Sequence, residues 1–326
     1  MREVMDRADR LVRGLGKRPV ASTAYATAWA ARLRGQDGLL VFPAARQWLG
    51  RRQHPDGSWG GAVQAPHDRL VSTLAAITAL QDEPQQWARA AVRAGLGYLN
   101  ARGGRWRQMD GETIGFEVIA PGLLEQARPL GVSLPAGARE ELDRIREEKL
   151  GRLPRAAAAE RPTSLLYSLE VLGNLISSHK AARFASANGS LADSPAATTA
   201  LWQATGDAAA LDYLRQAYDS TGDGGMPEGY PIDVFEPAWV LYLLQRAGLT
   251  PPAAGKQVDR LARLAAQAPQ GLGFSTAFPV PDSDDTAMVA TCCTKPAART
   301  TSCARPCSAS RRTPTSAGTP SNAGPQ

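Results

Sequence analysis

The stretch Pro281-Asp282-Ser283-Asp284-Asp285-Thr286-Ala287 carries the densest chemistry in this sequence. Three carboxylates fall within four positions, directly after an apolar, turn-rich segment from Gly271 to Val280. When such a cluster is buried its members cannot all ionise, so at least one proton is held at a raised pKa. A protein keeps an acid ready in a dry pocket in this way. The same spacing also suits a metal site or a solvated acidic turn, and the triplet alone does not choose among them.

The elements that must position this cluster read as helices. A charged helix within 1–20 ends near Gly14 to Gly16, and Ser22 or Thr23 can cap the next, which continues through Trp29 and Leu33. Further helices are expected at 44–51, 68–80, 84–101, 113–130, 136–151, 162–177, 194–204, 207–219, 233–247 and 255–268. In the 68–80 segment Leu70, Val71, Leu74 and Ile77 share one helical face. Strand-like alternation is scarce. The turn Asp56-Gly57-Ser58-Trp59 is echoed by Asn188-Gly189-Ser190-Leu191 and, more loosely, by Asp223-Gly224-Gly225-Met226. Helix, Asx-Gly turn, helix, repeated, is the outline of an all-α protein built as an α/α barrel. Such barrels hold ligands at one end or between two barrels.

The 326 residues suffice for one or two domains, and 43% apolar content suits a globular protein. No run of about 18 apolar residues predicts a membrane-spanning helix. The first ten residues mix acids and bases, unlike a secretory signal, so a cytoplasmic protein is the expectation. The net charge of +6 lies almost wholly in residues 291–326, which hold Lys295, Arg299, Arg305, Arg311 and Arg312 and no acid. The basic balance therefore gives no reason to expect nucleic-acid binding by the folded part. All four cysteines, Cys292, Cys293, Cys303 and Cys307, lie there too, so the body has no disulfide framework or cysteine-ligated zinc site.

From Thr291 the sequence has no aromatic residue and no Leu, Ile or Val. It cannot build a core and is expected to be a disordered tail. The change falls within an expected helix. A reading frame lost near residue 290 of a GC-rich gene would produce this composition.

Several stretches together resemble one family. Gln53-His-Pro-Asp-Gly-Ser-Trp-Gly60 is similar to the QW turn of triterpene and diterpene cyclases. Ser22-Thr-Ala-Tyr-Ala-Thr-Ala-Trp29 resembles the SxYDTAW element of class II diterpene cyclases, with Ala26 in place of the usual Asp. Asp68 to Leu74, Ile114 to Pro121, and Phe235-Glu236 with Trp239 continue the likeness in order, and Asp282 to Ala287 resembles the DxDDTA signature. The chain thus resembles a bacterial class II diterpene cyclase of the copalyl diphosphate synthase type over about residues 20–290. The resemblance implies the βγ architecture of two α/α barrels, the second incomplete. A β-associated helix would occupy 1–20, a γ-like barrel 21–175, a partial β domain 176–290, and the tail 291–326.

The implied reaction is protonation-initiated cyclisation of geranylgeranyl diphosphate to a bicyclic labdane-type diphosphate. Protonating an unactivated alkene requires a neutral, desolvated and aimed acid. By position Asp284 is the donor, tuned by Asp282 and Asp285. Tyr167 and Glu228 match the positions that hold the proton-accepting water in plant members, where a His and an Asn stand. The resemblance makes Glu117 a ligand for Mg²⁺ and places Lys149 and Arg152 near the diphosphate. It also implies a downstream class I diterpene synthase as a partner, because no DDxxD ionisation motif is present. The bland readings are core packing for Trp29, Trp59, Trp106 and Trp239, a packed helix residue for Tyr167, an exposed turn acid for Glu228, a solvated helix end for Lys149 and Arg152, and a structural ion pair for Asp68 and Arg69. His54, His67 and His179 are too scattered for a metal site. An inactive, truncated cyclase is the alternative. A squalene-hopene-type triterpene cyclase fits less well, and a protein prenyltransferase β-subunit would need a zinc-binding cysteine that the body lacks.

Overall fold

The computed structural model describes residues 1–16, 21–109, 111, 113–152, 164–172, 177–278 and 280–294. The expected tail from residue 295 onward lies outside the described residues, as do 17–20 and parts of the expected 162–177 helix.

The helices begin where local chemistry starts them. α1 (Arg2–Gly14) is followed by the short strand β1 (Ser22–Thr23) and α2 (Ala24–Ala30). Thr23 caps α2, its Oγ1 accepting the Ala26 N–H at 3.3 Å, and every residue of α2 is buried. α3 (Pro43–Arg52) and α4 (Pro66–Leu80) each carry proline in the first turn, where no N–H is missed. α4 is buried from His67 to Leu80 apart from Asp68. A helix apolar all round belongs at the centre of a helical layer, and α2, α5 (Gln86–Arg102) and α6 (Phe116–Gln126) pack around it.

α7 (Ala138–Gly151) packs on α6. The expected single helix at 162–177 is instead a 3₁₀ turn, Ser164–Ser168, running into the one-turn α8 (Leu169–Leu172). α9 (Ser178–Ala181), α10 (Pro195–Thr205) and α11 (Ala208–Thr221) follow. Ser194 caps α10 through Ala197 N at 3.2 Å, and Asp207 caps α11 through Ala209 N at 2.9 Å. The strand β2 (Met226–Pro227) pairs antiparallel with β1, setting Ser22 opposite Pro227 and Thr23 opposite Met226. α12 (Phe235–Arg246), α13 (Ala254–Gln267) and α14 (Ser283–Thr294) complete the described chain.

The repeated turns are the same device. Asp56 Oδ1 accepts the Ser58 N–H at 3.1 Å, and Asn188 Oδ1 accepts the Ser190 N–H at 3.0 Å. Each turn then holds the next helix: Trp59 N donates to Thr73 Oγ1 at 3.0 Å, and Leu191 N to Thr198 Oγ1 at 2.9 Å. Gly57 and Gly189 have φ of +87° and +84°, and a Cβ on either would sit 2.4 or 2.2 Å from the carbonyl oxygen of Ala94 or Ala209. Only glycine fits there.

Buried side chains form three clusters. The first runs from Ala24 to Met226 and includes Trp29, Trp59, Leu74, Leu123 and Tyr213. Helices on both sides of residue 175 contribute to it. The second joins Val12 and Leu15 of the α1 end to Leu241, Leu261, Val289 and Cys292, so α1 packs with the C-terminal helices. The third centres on Leu169, Leu191 and Leu201, with Tyr167 and Phe278 against it. The composition change at residue 291 falls inside α14: Cys292 is fully buried, its Sγ donating to Ala238 O at 3.2 Å. A thiol packs as a small hydrophobe, so this part of the expected tail extends the core instead.

Candidate active site

The acid cluster forms the N-terminus of α14. Asp285, Val289 and Cys292 share its buried face, at the i, i+4, i+7 spacing of one helical stripe. Asp284 lies one residue earlier, about 100° round the helix, and is exposed. Asp282 precedes the helix, and its Oδ1 accepts the Asp285 N–H at 2.8 Å. Asp285 is only 2% exposed, and its Oδ1 has no partner among the described residues. Burial, reinforced by the charges of Asp282 and Asp284, raises its carboxyl to about 7. Burial also raises Asp282. The desolvation expected at Asp284 therefore falls on Asp285, because the helix register turns 285 inward.

A short strip carries this cluster to a second group of polar residues. Thr286 Oγ1 accepts the Leu272 N–H at 2.9 Å, and the Asp282 N–H donates to Leu272 O at 3.0 Å. Two residues on, Phe274 meets the ring of Tyr167 edge-on, with centroids 6.4 Å apart. Two buried or half-buried acids hold the strip down. Asp193 takes the Ser275 hydroxyl on Oδ2 and Asn188 Nδ2 on Oδ1, the latter at 3.0 Å. Asp233 takes the Thr276 N–H at 2.9 Å and Arg260 Nη2 at 2.7 Å.

Tyr167 and Glu228 do come together. The Tyr167 hydroxyl donates to Glu228 O at 3.0 Å, and Glu228 Oε2 accepts the Thr23 hydroxyl at 2.7 Å. The β1–β2 ladder explains the second contact, since it lays Thr23 beside the residues just before Glu228. Burial raises the Glu228 carboxyl and raises the Tyr167 phenol well above its ordinary value. Glu228 is thus no exposed turn acid. The sequence reading missed the neighbouring Glu170. It is 7% exposed, accepts the Tyr25 hydroxyl on Oε1, and is raised by burial to about 8. Glu170 stands three residues after Tyr167, but its partner Tyr25 is 145 positions away.

Between α6 and α7, Lys149 Nζ lies 3.7 Å from Glu117 Oε1. Glu117 Oε2 is buried without a partner among the described residues. Arg152 is not brought to them; it is exposed and pairs with Glu148. No group of three or more His, Cys, Asp or Glu that could hold a metal occurs among the described residues. One free carboxylate oxygen beside a lysine still fits a magnesium site completed by water and phosphate oxygens.

Three of the four tryptophans are buried in the core: Trp59 fully, with Nε1 donating to Leu49 O at 2.8 Å, and Trp29 and Trp106; Trp239 is half-buried, its ring against Phe235 and Tyr242. The expected Asp68–Arg69 ion pair does not form. Asp68 accepts the Gly61 N–H at 2.7 Å, and Arg69 donates to Ser58 Oγ at 3.1 Å and Gly61 O at 3.0 Å, so each residue holds the turn instead of the other. Among the described residues no helix is long and apolar enough to cross a membrane.

The mostly helical α/α barrel is the fold of terpenoid cyclases. No known family model matches the chain. Individual relatives do. Ent-copalyl diphosphate synthase 2 of Oryza sativa subsp. indica is 36% identical over 280 residues, covering 82% of this chain and 34% of the rice protein. Bifunctional isopimaradiene synthase of Picea abies is 32% identical over 298 residues, covering 88% of this chain and 34% of the spruce protein. Among solved structures, ent-copalyl diphosphate synthase from Arabidopsis thaliana, in complex with (S)-15-aza-14,15-dihydrogeranylgeranyl thiolodiphosphate, matches at TM-score 0.79 and 31% identity, over 89% of this chain and 42% of that one. The ent-copalyl diphosphate synthase from Streptomyces platensis matches at TM-score 0.67 and 28% identity, over 89% of this chain and 60% of that one. Its relatives in sequence and structure are thus ent-copalyl diphosphate synthases and bifunctional diterpene synthases. It spans about a third of the length of the curated relatives it matches.

Proposed function

We propose that the chain carries the acid and the proton acceptor of a class II diterpene cyclase acting on geranylgeranyl diphosphate, with a bicyclic, copalyl-like diphosphate as product. The observation that carries this reading is the α14 N-terminus, where buried Asp285, its Oδ1 without a partner among the described residues, sits beside the outward-facing Asp284. Asp282 and Asp285, both raised by burial, share a proton. Asp285 and Asp282 keep the shared proton, and Asp284 delivers it. In the first step an Asp284 O–H bond breaks and a C–H bond forms at the terminal alkene. The inner double bonds then close two rings onto the cation. In the last step a C–H bond breaks, its electron pair forms the new C=C bond, and the proton passes to Glu228, which Tyr167 and Thr23 hold in place. Proton in equals proton out, so the reaction is an isomerisation.

The diphosphate stays intact. Lys149 pairs with its charge, and Glu117 would hold Mg²⁺. The metal would supply further neutralisation of the phosphate oxygens. A cytoplasmic location, and a class I diterpene synthase that ionises the product, complete the reading.

The test is incubation with geranylgeranyl diphosphate and Mg²⁺, followed by dephosphorylation and mass spectrometry. A bicyclic alcohol is expected, falling by about 10²–10⁴-fold in Asp284→Asn, the range of a lost general acid. Equal product from Asp284→Asn and Asp285→Asn would sink the assignment. No bicyclic product from the unaltered chain would favour an inactive cyclase relative instead.

A further inference from the structure

Glu170 and Glu228 come from elements far apart in sequence but are held by the same turn of chain. Thr23 donates to Glu228 and Tyr25, two residues on, donates to Glu170. No salt bridge reaches either carboxylate among the described residues. Arg32 is engaged elsewhere: its Nη1 donates to Gln126 Oε1 at 2.9 Å, and it stacks over Trp29 at 4.3 Å. Gln126 in turn reaches only the Glu170 main chain, Nε2 to O at 3.3 Å. Glu170 Oε2 is buried and has no acceptor or donor among the described residues.

Two neighbouring carboxylates without a cation cannot both be charged at such a site. The groups facing Glu170 are Tyr25, Tyr167 and Glu228, and none supplies positive charge. Glu170 is the more deeply buried of the two acids, and its Oε1 needs a donor only as a carbonyl-type acceptor, which Tyr25 satisfies.

We infer that Glu170 is a positioning residue for Glu228: it stays protonated in the folded protein, with the proton on Oε2, and so leaves Glu228 as the ionised member that receives the proton lost in the last step. The role of Glu228 rests on the cyclase reading. The protonation of the pair does not, and it is measured without substrate. This separates the two: cyclase activity can be absent while the pair behaves as described, and the pair can fail while product still forms.

The experiment is a carbon-13 NMR titration of the full chain labelled at the glutamate side-chain carboxyls. One carboxyl is expected to titrate near 8, the position given by burial of Glu170. Its signal should vanish in Glu170→Gln and persist in Glu228→Gln. In Glu228→Gln its midpoint should move down, since a neighbouring negative charge has gone. In Tyr25→Phe it should move up, since a hydrogen bond to the ionised form has gone. A residue with a purely structural role would show neither opposed shift. The inference is overturned if every glutamate titrates in the ordinary range, if the high carboxyl disappears in Glu228→Gln instead, or if its midpoint moves in neither variant. Should Glu170→Gln fail to fold, the opposed shifts in Glu228→Gln and Tyr25→Phe decide the matter.

Discussion

Thr286 and Leu272, 14 positions apart, are joined at 2.9 Å by the Leu272 N–H and the Thr286 hydroxyl. The same hydroxyl lies 2.6 Å from Asp282 O, so one side chain ties the start of α14, the acid cluster and the strip that reaches Tyr167. Valine at 286 keeps the shape and removes the hydroxyl. Thr286→Val is expected to destabilise the fold by about 1–2 kcal/mol, the cost of an unsatisfied, part-buried N–H. The freed helix start should also admit water to Asp285, lowering its carboxyl from about 7. Urea denaturation checks the first outcome and a carboxyl NMR titration the second. An Asp285 midpoint that does not move would show that Val289 and Cys292 alone keep the helix seated.

Gly189 should tolerate no side chain. Its φ of +84° and the 2.2 Å approach a Cβ would make to Ala209 O both act against alanine. Gly206 provides the control: its φ is +68°, but nothing lies within 4 Å of its would-be Cβ. Gly206→Ala should cost about 1–2 kcal/mol, the left-handed penalty alone. Gly189→Ala should cost distinctly more, because the turn must also move off α11. Chemical denaturation of the two variants side by side measures the difference. Equal costs would mean that the turn shifts freely.

The fold was legible in the sequence where a pattern is local. Asx-Gly turns, helix caps such as Thr23 and the apolar faces of α4 all announce themselves within a few residues. The acid cluster was legible for the same reason, as a signature on one helix start. The depth of each carboxylate was not. Asp284 and Asp285 are neighbours in sequence, and only the packing of α12 and α13 against α14 decides which faces inward. Glu170 escaped notice for a further reason: its partner Tyr25 is 145 positions away, and no local pattern carries that pairing. Of the helix expected at 162–177, the described part opens as a 3₁₀ turn before its α-helical residues, a difference in hydrogen-bond spacing that the sequence pattern does not specify.

Lys149 and Arg152 looked alike in sequence but should differ in binding. Lys149 stands beside Glu117, whereas Arg152 is exposed and paired with Glu148. Lys149→Ala should weaken binding of geranylgeranyl diphosphate with Mg²⁺ by about tenfold or more, the scale of one charge-assisted hydrogen bond. Arg152→Ala should change it by less than about threefold, as for an exposed ion pair. Calorimetric titration at fixed ionic strength reads both. Equal losses would place the diphosphate nearer the C-terminal end of α7 than the Glu117–Lys149 pair implies.

Stability should fall as pH rises, and Glu170 gives the sign. Its carboxyl lies at about 8 when folded, against an ordinary 4.5. Between those values the folded chain holds a proton that the unfolded chain has released, so each step up in pH favours unfolding. The contribution is fully present below about pH 4.5 and is lost as pH rises through about 8, above which it is flat. The slope for one proton is about 1.4 kcal/mol per pH unit, so the whole effect is on the order of a few kcal/mol. Asp285, raised to about 7, adds to the same trend at slightly lower pH. Glutamine at 170 keeps the acceptor for Tyr25 and cannot ionise, so Glu170→Gln should flatten the decline while leaving the share due to Asp285. Urea midpoints across this pH range, for the unaltered chain and the variant, test the point. Parallel curves would mean that Glu170 ionises in the folded protein as readily as in the unfolded one.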